Sequence, residues 1–438
     1  MVKLRWLQVN KFRTVKPGTR LTFNPGYNVL LGQNGTGKTT LLNLVAAAIP
    51  SDFTTLSDVE FDLSYELASD KATATVSVRN ESRPPPFPSE WEGIISPQAL
   101  RQHPFTPEGG LRALMLSTTV SISRKEPALQ LEIDIKGSRG VVRRTDETAS
   151  SAPVNLDFAN AGAWPLWVLI LNAYMQCLGK VVEPTQAASG IVELFVSASS
   201  TPRFDESLEY FNDLGQLQLK MVRTPDGQVS GAGGLGFGES MHEHLSHLAQ
   251  QRWGDDRYVL TDTDLPFLKH TAQLLDFESA EAIVELKDSS RERNTDVMHL
   301  GNLRFYFSHR GGWKISEKLL SYGQKRILAF MHYLAIAQPA VIADELVNGL
   351  HHRWIRACFE ALGPRQAFLT SQNPLLLDYL SFQSPEEVRS AFVLCRWEKG
   401  PEQMVWENMS QEAAADFFDS YKVGFQQVGE LLQSKGLW

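Results

Sequence analysis

The sequence predicts an α/β protein whose core is built from the two ends of the chain and split by a long insertion. Three observations predict it. A strand, a glycine-rich turn and a helix follow one another in YNVLLGQNGTGKTTLLNLVAAAI, which begins at Tyr27. A second apolar strand, AVIADE at 340–345, closes on two acids. Between these lie stretches of strict apolar–polar alternation, the mark of half-buried strands, and then a longer interval with helical periodicity.

Size and charge bound the answer. At about 150 residues per domain, the 438 residues allow three domains or one large domain with an insertion, and 43% hydrophobic content permits a sizeable core. The formal net charge of −8 argues against a nucleic-acid binder that works by bulk charge, while leaving room for a local basic groove. Cys177, Cys358 and Cys395 are far apart and form no C-x-x-C pair. They suggest neither a disulfide framework nor a zinc site, and a reducing compartment fits best. The opening MVKLRWLQVNKFR is charged and strand-like rather than a signal peptide. The most apolar run, AWPLWVLILNAYM from Ala163, falls short of the ~20 residues that span a bilayer and reads as a buried helix. A cytoplasmic protein with no membrane partner is expected.

In the first motif, Val29, Leu30 and Leu31 make a short strand-like run. Gly32-Gln33-Asn34-Gly35-Thr36-Gly37-Lys38-Thr39 then fits G-x-x-x-x-G-K-[ST], and Leu41, Leu42, Leu44 and Val45 follow at helical spacing. The glycines let successive backbone N–H groups turn inward around phosphate oxygens. The helix N-terminus adds a partial positive charge. In such a loop Lys38 reaches the β- and γ-phosphates of a nucleotide and the Thr39 hydroxyl ligates Mg²⁺. The metal needs a second, acidic strand, and AVIADE meets that need. Asp344 is placed to hold Mg²⁺ through water, and Glu345 to polarise an attacking water as general base or orienter.

In LSYGQ, Leu320 to Gln324, Ser321 and Gly323 open a predicted helix in which Ile327, Leu328, Met331 and Leu334 recur at helical spacing. A serine hydroxyl and a backbone N–H at a helix N-terminus make a further anion site.

Together these motifs resemble those of ABC-type ATPase heads of the SMC, RecF and OLD branch. GQNGTGKTT is similar to the branch's G-x-N-G-x-G-K-[ST], and LSYGQ to its L-S-x-G-Q signature. Ser321 lies 23 residues before Asp344, a distance typical of the group. LQVNKFRTVKPGTRLTFNPGYNVLLGQNG is similar to its three-strand approach to the P-loop. The resemblance implies a P-loop NTPase fold with an ABC-type head, a mixed sheet plus a flanking antiparallel β-subdomain, split by a largely helical insertion. It implies an ATPase that uses ATP and Mg²⁺. Nucleotide binding falls on Gly32, Asn34, Gly35, Thr36, Gly37, Lys38, Thr39 and Thr40, and on Ser321, Gly323 and Gln324 of another copy. ATP is then sandwiched in a head-to-tail homodimer, or a higher oligomer, with two-fold symmetry. LVNGLHHRW resembles the branch's turn after the catalytic Glu, at the dimer seam, with Asn348, Gly349, Leu350 and His351 in the matching places. His351 and His352 read equally as ordinary helix-start residues. Phe12 or Arg13, in NKFRT, sits where the branch contacts base or phosphates, and either reads equally as a strand residue.

Departures from the branch narrow the expectation. The strand at 367–369 leads into Thr370-Ser371-Gln372-Asn373-Pro374, where the branch usually has Thr-Thr-His-Ser-Pro. Gln372 can donate an N–H to a phosphate oxygen but cannot carry the histidine's positive charge, so γ-phosphate sensing is expected to survive and hydrolysis to be slow. No heptad run is sustained long enough for a coiled-coil arm. The stretch after FLTSQNP reads as a strand pair and closing helices, with no room for the nuclease domain of the OLD family.

Three parts are expected. Residues 1–152 are the N-terminal part of the head, 153–295 a mainly helical lobe, and 296–438 the C-terminal part of the head. In the first, Val59, Phe61, Leu63, Tyr65 and Leu67 share one face, TATVSV and TVSIS…ALQLEIDI alternate, and RPPPFPSEW from Arg83 interrupts them as a stiff exposed loop. In the lobe, TPDGQVSGAGGLGFG from Thr224 reads as a mobile linker. KGSRGVVRR from Lys136 is the best basic stretch and reads as well as a solvated strand edge. The function expected is an ATP-driven switch. It acts on DNA, or on a separate effector protein such as a nuclease, in DNA repair or phage defence. A weakly hydrolysing assembly scaffold is the alternative. A transporter's nucleotide-binding subunit is disfavoured by the size of the insertion.

Overall fold

The computed structural model describes residues 1–80, 116–124, 129–136, 139–146, 153–157, 165–178, 193–195, 202–233, 237–292, 294–337, 340–371, 373–424 and 426–437. The chain divides into two compact units. The first comprises Met1–Thr201, Arg365–Gln372 and Leu380–Trp438, the second Pro202–Pro364 and Asn373–Tyr379.

The first unit opens with β1 (Lys3–Phe12), β2 (Thr19–Thr22), β3 (Tyr27–Leu31), α1 (Lys38–Ala48), β4 (Phe61–Ala68), β5 (Ala72–Asn80), β6 (Leu116–Arg124), β7 (Leu129–Lys136), β8 (Arg139–Asp146), β9 (Val154–Asp157) and α2 (Leu166–Leu178). The second follows with α3 (Phe204–Asn212), β10 (Gln218–Arg223), β11 (Val229–Gly233), α4 (Glu239–Gln251), β12 (Arg257–Thr261), α5 (Pro266–Leu274), β13 (Ser279–Glu292), β14 (Thr295–Ser308), β15 (Lys314–Ser316), α6 (Tyr322–Ile336), β16 (Ala340–Ala343) and α7 (His352–Leu362). The chain returns to the first unit with β17 (Gln366–Thr370), α8 (Pro385–Ala391), β18 (Phe392–Lys399), β19 (Glu402–Asn408), α9 (Gln411–Val423) and α10 (Val428–Ser434).

An antiparallel sheet of the first unit runs β2-β1-β4-β5-β6-β7-β8-β9. Its register follows the alternation in the sequence. Phe61, Leu63, Tyr65 and Leu67 of β4 are all fully buried, while Val59 precedes the strand and is half-buried. The Tyr65 hydroxyl shares a 2.7 Å hydrogen bond with Ser51. In the basic stretch from Lys136, the part Arg139–Val142 is interior to the sheet, because β8 pairs there with β7 on one side and with β9 on the other. RPPPFPSEW lies outside the described residues.

The unit's other strands build the floor of the P-loop. β3 pairs in parallel with β17 on one side and β18 on the other, and β18 pairs antiparallel with β19. Val29, Leu30 and Leu31 are buried between them, and Leu41, Leu42, Leu44 and Val45 of α1 are fully buried. Gln366, itself buried, joins β17 to the antiparallel sheet. Its amide donates to the carbonyls of Leu4 (2.9 Å) and Asn24 (2.8 Å), and its oxygen accepts from the Leu4 N–H at 2.8 Å. The apolar run near Ala163 is α2, which buries Leu166, Leu169, Ile170, Ala173 and Tyr174. No described helix is long and apolar enough to cross a membrane.

The second unit holds an antiparallel sheet, β11-β10-β14-β13-β12, with β15 on β14. The interval 153–295 therefore carries strands alongside its helices. Their apolar signal is thin: Leu219 and Met221 in β10, Tyr258 and Leu260 in β12, Ala280, Ala282 and Val284 in the 14-residue β13, all buried. The glycine-rich stretch from Thr224 is in part a hairpin rather than a linker. The Thr224 N–H donates to the Gln228 carbonyl at 2.9 Å, and β11 pairs with β10 from Val229 to Gly233. Gly231 is close to its neighbours there, since a Cβ on it would lie 3.0 Å from Met221 Sδ and 3.1 Å from His242 Nδ1. α3 is fixed to α6 by aromatic packing of Phe204 on Phe330 and Tyr333, with ring centroids 5.3 and 5.6 Å apart.

Candidate functional site

The candidate residues divide between the two units. Those of the P-loop belong to the first, and those of the signature and the acidic turn to the second.

In the first unit the chain leaves β3 at Gly32, where φ is +150° and a Cβ would lie 2.2 Å from the Cys395 carbonyl oxygen of β18. Only glycine lets the loop pass that close to the neighbouring strand. Gly37 is the N-cap of α1, in the left-handed region at φ +87°. A Cβ there would lie 2.3 Å from Met404 Sδ and 3.2 Å from the Trp406 indole. Both side chains come from β19, and Trp406 Nε1 donates to the Thr36 carbonyl at 3.2 Å. Lys38 is buried, and its Nζ donates to the carbonyls of Gly32 (2.7 Å) and Gln33 (3.0 Å). The Thr36 hydroxyl donates to the Gln33 carbonyl at 2.8 Å.

Asn34, Gly35 and Thr39 are exposed and Thr40 is half-buried. The first turn of α1 holds no acidic side chain, and no side chain caps it. A cradle of backbone with a buried ammonium at its base, facing a helix N-terminus without carboxylates, suits the anionic oxygens of a nucleotide phosphate chain.

Phe12 is fully buried, whereas Arg13 is exposed in the turn after β1, at φ +46°. That turn is pinned to β19. The Met404 N–H donates to the Thr14 carbonyl at 2.8 Å, and the Lys16 N–H donates to the Met404 carbonyl at 2.9 Å. One residue, Met404, thus packs on Gly37 and anchors the Arg13 turn. Gln372 lies outside the described residues. Burial pushes the Cys395 thiol, behind the loop, up to about 12, with the Lys38 charge opposing.

In the second unit Ser321 caps α6. Its hydroxyl accepts from the Gln324 N–H at 3.4 Å, and Gln324 Oε1 accepts from the Ser321 N–H at 2.9 Å. This is a capping box. Ser321 and Tyr322 are exposed, while Gly323 and Gln324 are half-buried. A Cβ on Gly323 would lie 3.0 Å from both the Gly349 carbonyl and the Trp354 ring. The start of the helix is thereby set against the turn that follows the acids.

β16 is wholly buried and delivers Asp344 and Glu345, both half-buried, to its end. Glu345 has φ +50°, in the left-handed region. Its carbonyl accepts from the Asn348 N–H at 3.2 Å and from Arg326 Nη2. Asn348 is exposed. His351 is the N-cap of α7, with its Nδ1 accepting from the Arg353 N–H at 3.4 Å. Asp205 of α3 is ion-paired with Arg203. Burial raises the Asp205 carboxyl above the usual carboxylate range against the pull of Arg203, and the nearby Asp344 charge raises it further.

Arg326, Asp205, Met404 and Trp406 are residues that motif reading missed. Arg326 did leave a signal: a charge on the same helical face as Ala329 and Phe330, which are apolar and buried. Met404 and Trp406 left only the alternation of a late strand, with nothing to connect it to residues 32–37.

Residues 7–126 match a family model described as "AAA domain". Residues 236–378 match one described as "AAA domain, putative AbiEii toxin, Type IV TA system". No curated protein matches the chain. Among solved structures, the SMC head domain from Thermotoga maritima is 10% identical with a TM-score of 0.36, covering 93% of this chain and 99% of that one. The Smc head domain with an extended coiled coil, bound to the C-terminal domain of ScpA, from Pyrococcus furiosus, is 11% identical with a TM-score of 0.37, covering 96% and 100%. The Smc head domain with a coiled coil and joint from Pyrococcus yayanosii is 9% identical with a TM-score of 0.36, covering 96% and 100%.

Proposed function

We propose that this chain, which matches AAA domains at 7–126 and 236–378 and resembles SMC and RecF heads in its motifs, is an ATP-driven switch that closes head to tail with a second copy. The backbone N–H groups of 32–39 and the Lys38 ammonium hold the triphosphate of one copy. Ser321 and Gly323 of the other copy donate to the γ-phosphate, and Gln324 keeps Ser321 at the helix start. Thr39 and Asp344 would hold Mg²⁺, which supplies neutralisation of the charge that builds on the β- and γ-oxygens. Glu345 accepts a proton from water as the water oxygen bonds to the γ-phosphorus. The bond from that phosphorus to the β–γ bridging oxygen breaks, and ADP and phosphate leave. Gln372 donates to the γ-phosphate, Arg13 meets the nucleotide from its turn, and Asn348 lies on the seam between copies.

The observation that carries this reading is the exposure of Ser321 at the start of a 15-residue helix whose first turn holds no acid. A signature buried in its own subunit could meet no second P-loop. The buried thiols Cys358 and Cys395 favour a reducing, cytoplasmic setting. The toxin–antitoxin description matched at 236–378 favours defence over DNA repair, with a separate effector or DNA receiving the change. Gln372 in the place of histidine favours slow turnover, and in the limit an assembly scaffold that ATP holds together.

Turnover and sedimentation of the wild type, Lys38→Ala and Glu345→Gln test the switch. Lys38→Ala is expected to lose ATP-dependent assembly. Glu345→Gln is expected to lower kcat about 1,000-fold and to accumulate an ATP-bound dimer. Glu345→Gln assembling no better than Lys38→Ala under ATP would remove the switch. Acceleration by double-stranded DNA identifies DNA as the partner; its absence points to a protein.

A further inference from the structure

Glu345 occupies a backbone conformation that L side chains disfavour, at φ +50°. Something must hold it there, and the Arg326 side chain is bonded to the turn from outside. Arg326 Nε donates to the Leu346 carbonyl at 3.0 Å, and its Nη2 donates to the Glu345 carbonyl. Two successive carbonyls at the end of an acidic strand thus converge on a single planar fork. The guanidinium is nearly inaccessible, with Arg326 only 6% exposed, and it lies over the Phe204 ring, 5.2 Å from the centroid. A buried charge in that position is oriented rather than loose. The Asn348 N–H adds an internal bond to the same Glu345 carbonyl at 3.2 Å.

Arg326 also belongs to the helix that Ser321 caps. Four residues separate the two, and among them Gly323 abuts the Gly349 carbonyl and the Trp354 ring. The opening turns of α6 therefore grip the segment 345–354 at two places, through backbone contact at Gly323 and through hydrogen bonds at Arg326. Gly323 and Arg326 thus tie the start of α6 to the segment that carries Glu345.

We propose that Arg326 is a positioning residue that holds Glu345 in its left-handed conformation. It thereby transmits engagement of Ser321, by the nucleotide of a second copy, to the carboxylate of its own chain. This rests on the reading of Glu345 as the group that takes the proton from water. The guanidinium does not touch ATP. It sets the direction of the Glu345 side chain by fixing the peptide from which that side chain departs. Its fork meets two carbonyls at once, which a lysine ammonium on a flexible stem does not reproduce.

The test compares the wild type with Arg326→Gln and Arg326→Lys, the latter retaining the charge and the contact with Phe204. Turnover is expected to fall about 100-fold in Arg326→Gln and about tenfold in Arg326→Lys, with the Kd for ATP changed less than about twofold in both. Amide hydrogen exchange at Asn348, measured without nucleotide, is expected to rise several-fold in Arg326→Lys. Either variant turning over at the wild-type rate overturns the proposal, as does a loss of ATP affinity that matches the loss of turnover. A wild type that hydrolyses no ATP overturns the catalytic reading of Glu345 instead. Arg326 is then judged by exchange alone, and an unchanged rate at Asn348 in Arg326→Lys removes the tie.

Discussion

The P-loop segment and the acidic turn, to which the proposed function assigns the phosphate chemistry, are each held in shape, but by opposite means. From Gly32 to Lys38 the work falls to the backbone. Two positions exclude any side chain, and the surrounding contacts come from a strand backbone and from Met404 and Trp406. From Asp344 to Leu350 a disfavoured backbone is held by a side chain from a helix elsewhere in the sequence. A backbone cradle is destroyed by adding atoms, and a clamped turn by removing them. The two regions should therefore respond differently to the same kind of substitution.

The sharpest contrast is between two glycines. Gly32→Ala places a methyl 2.2 Å from a backbone oxygen in the middle of a sheet, and neither strand can yield. It is expected to cost about 3 kcal/mol and to abolish ATP binding, measured by thermal unfolding and by titration. Gly349→Ala meets only the Tyr322 ring, at 2.9 Å, and that ring is exposed enough to rotate away. The remaining penalty is the left-handed backbone at φ +73°, about 1 kcal/mol. Equal losses in the two variants would break the distinction between a rigid cradle and an adjustable turn.

The same contrast explains what could be read from the residues alone. The P-loop was legible because its geometry is written in three closely spaced glycines, Gly32, Gly35 and Gly37, and β4 because four large apolar side chains alternate along it. The acids of AVIADE were legible as a strand end, but the left-handed Glu345 was not, since its cause is Arg326 on a different element. β11 was hidden for a related reason. Ser230, Gly231 and Ala232 show no alternation of their own, and the apolar face of that hairpin is supplied by Leu219 and Met221 of β10. Local pattern reports what a segment does for itself and is silent where a partner imposes the conformation.

Trp406 tests how far the cradle depends on support from a distance. Trp406→Phe keeps most of the packing on Gly37 and deletes the donor to the Thr36 carbonyl, which lies 3.2 Å from Nε1. Leaving that buried acceptor unmatched is expected to cost about 1.5 kcal/mol and to weaken ATP binding without altering turnover at saturation. A change in kcat at saturating ATP would mean that β19 reaches beyond the cradle to the reacting groups.

Ser321→Ala carries the smallest effect on folding and separates the two roles of that hydroxyl. As a cap it accepts one N–H at 3.4 Å, a long bond within a box whose other half, Gln324 Oε1 to the Ser321 N–H at 2.9 Å, survives the substitution. The loss of stability is expected at the low end of the range for caps, about 0.5 kcal/mol. The hydroxyl proton, however, is not used by the cap, in which the oxygen only accepts. It remains available to donate to an anion brought from outside. If a second copy brings that anion, ATP-driven dimerisation in the Glu345→Gln background weakens about tenfold or more when Ser321 is also replaced, as for the loss of a charge-assisted hydrogen bond. The monomer meanwhile unfolds almost where the wild type does. Parallel small changes in both measurements would reduce Ser321 to a cap and place the two regions in unrelated roles.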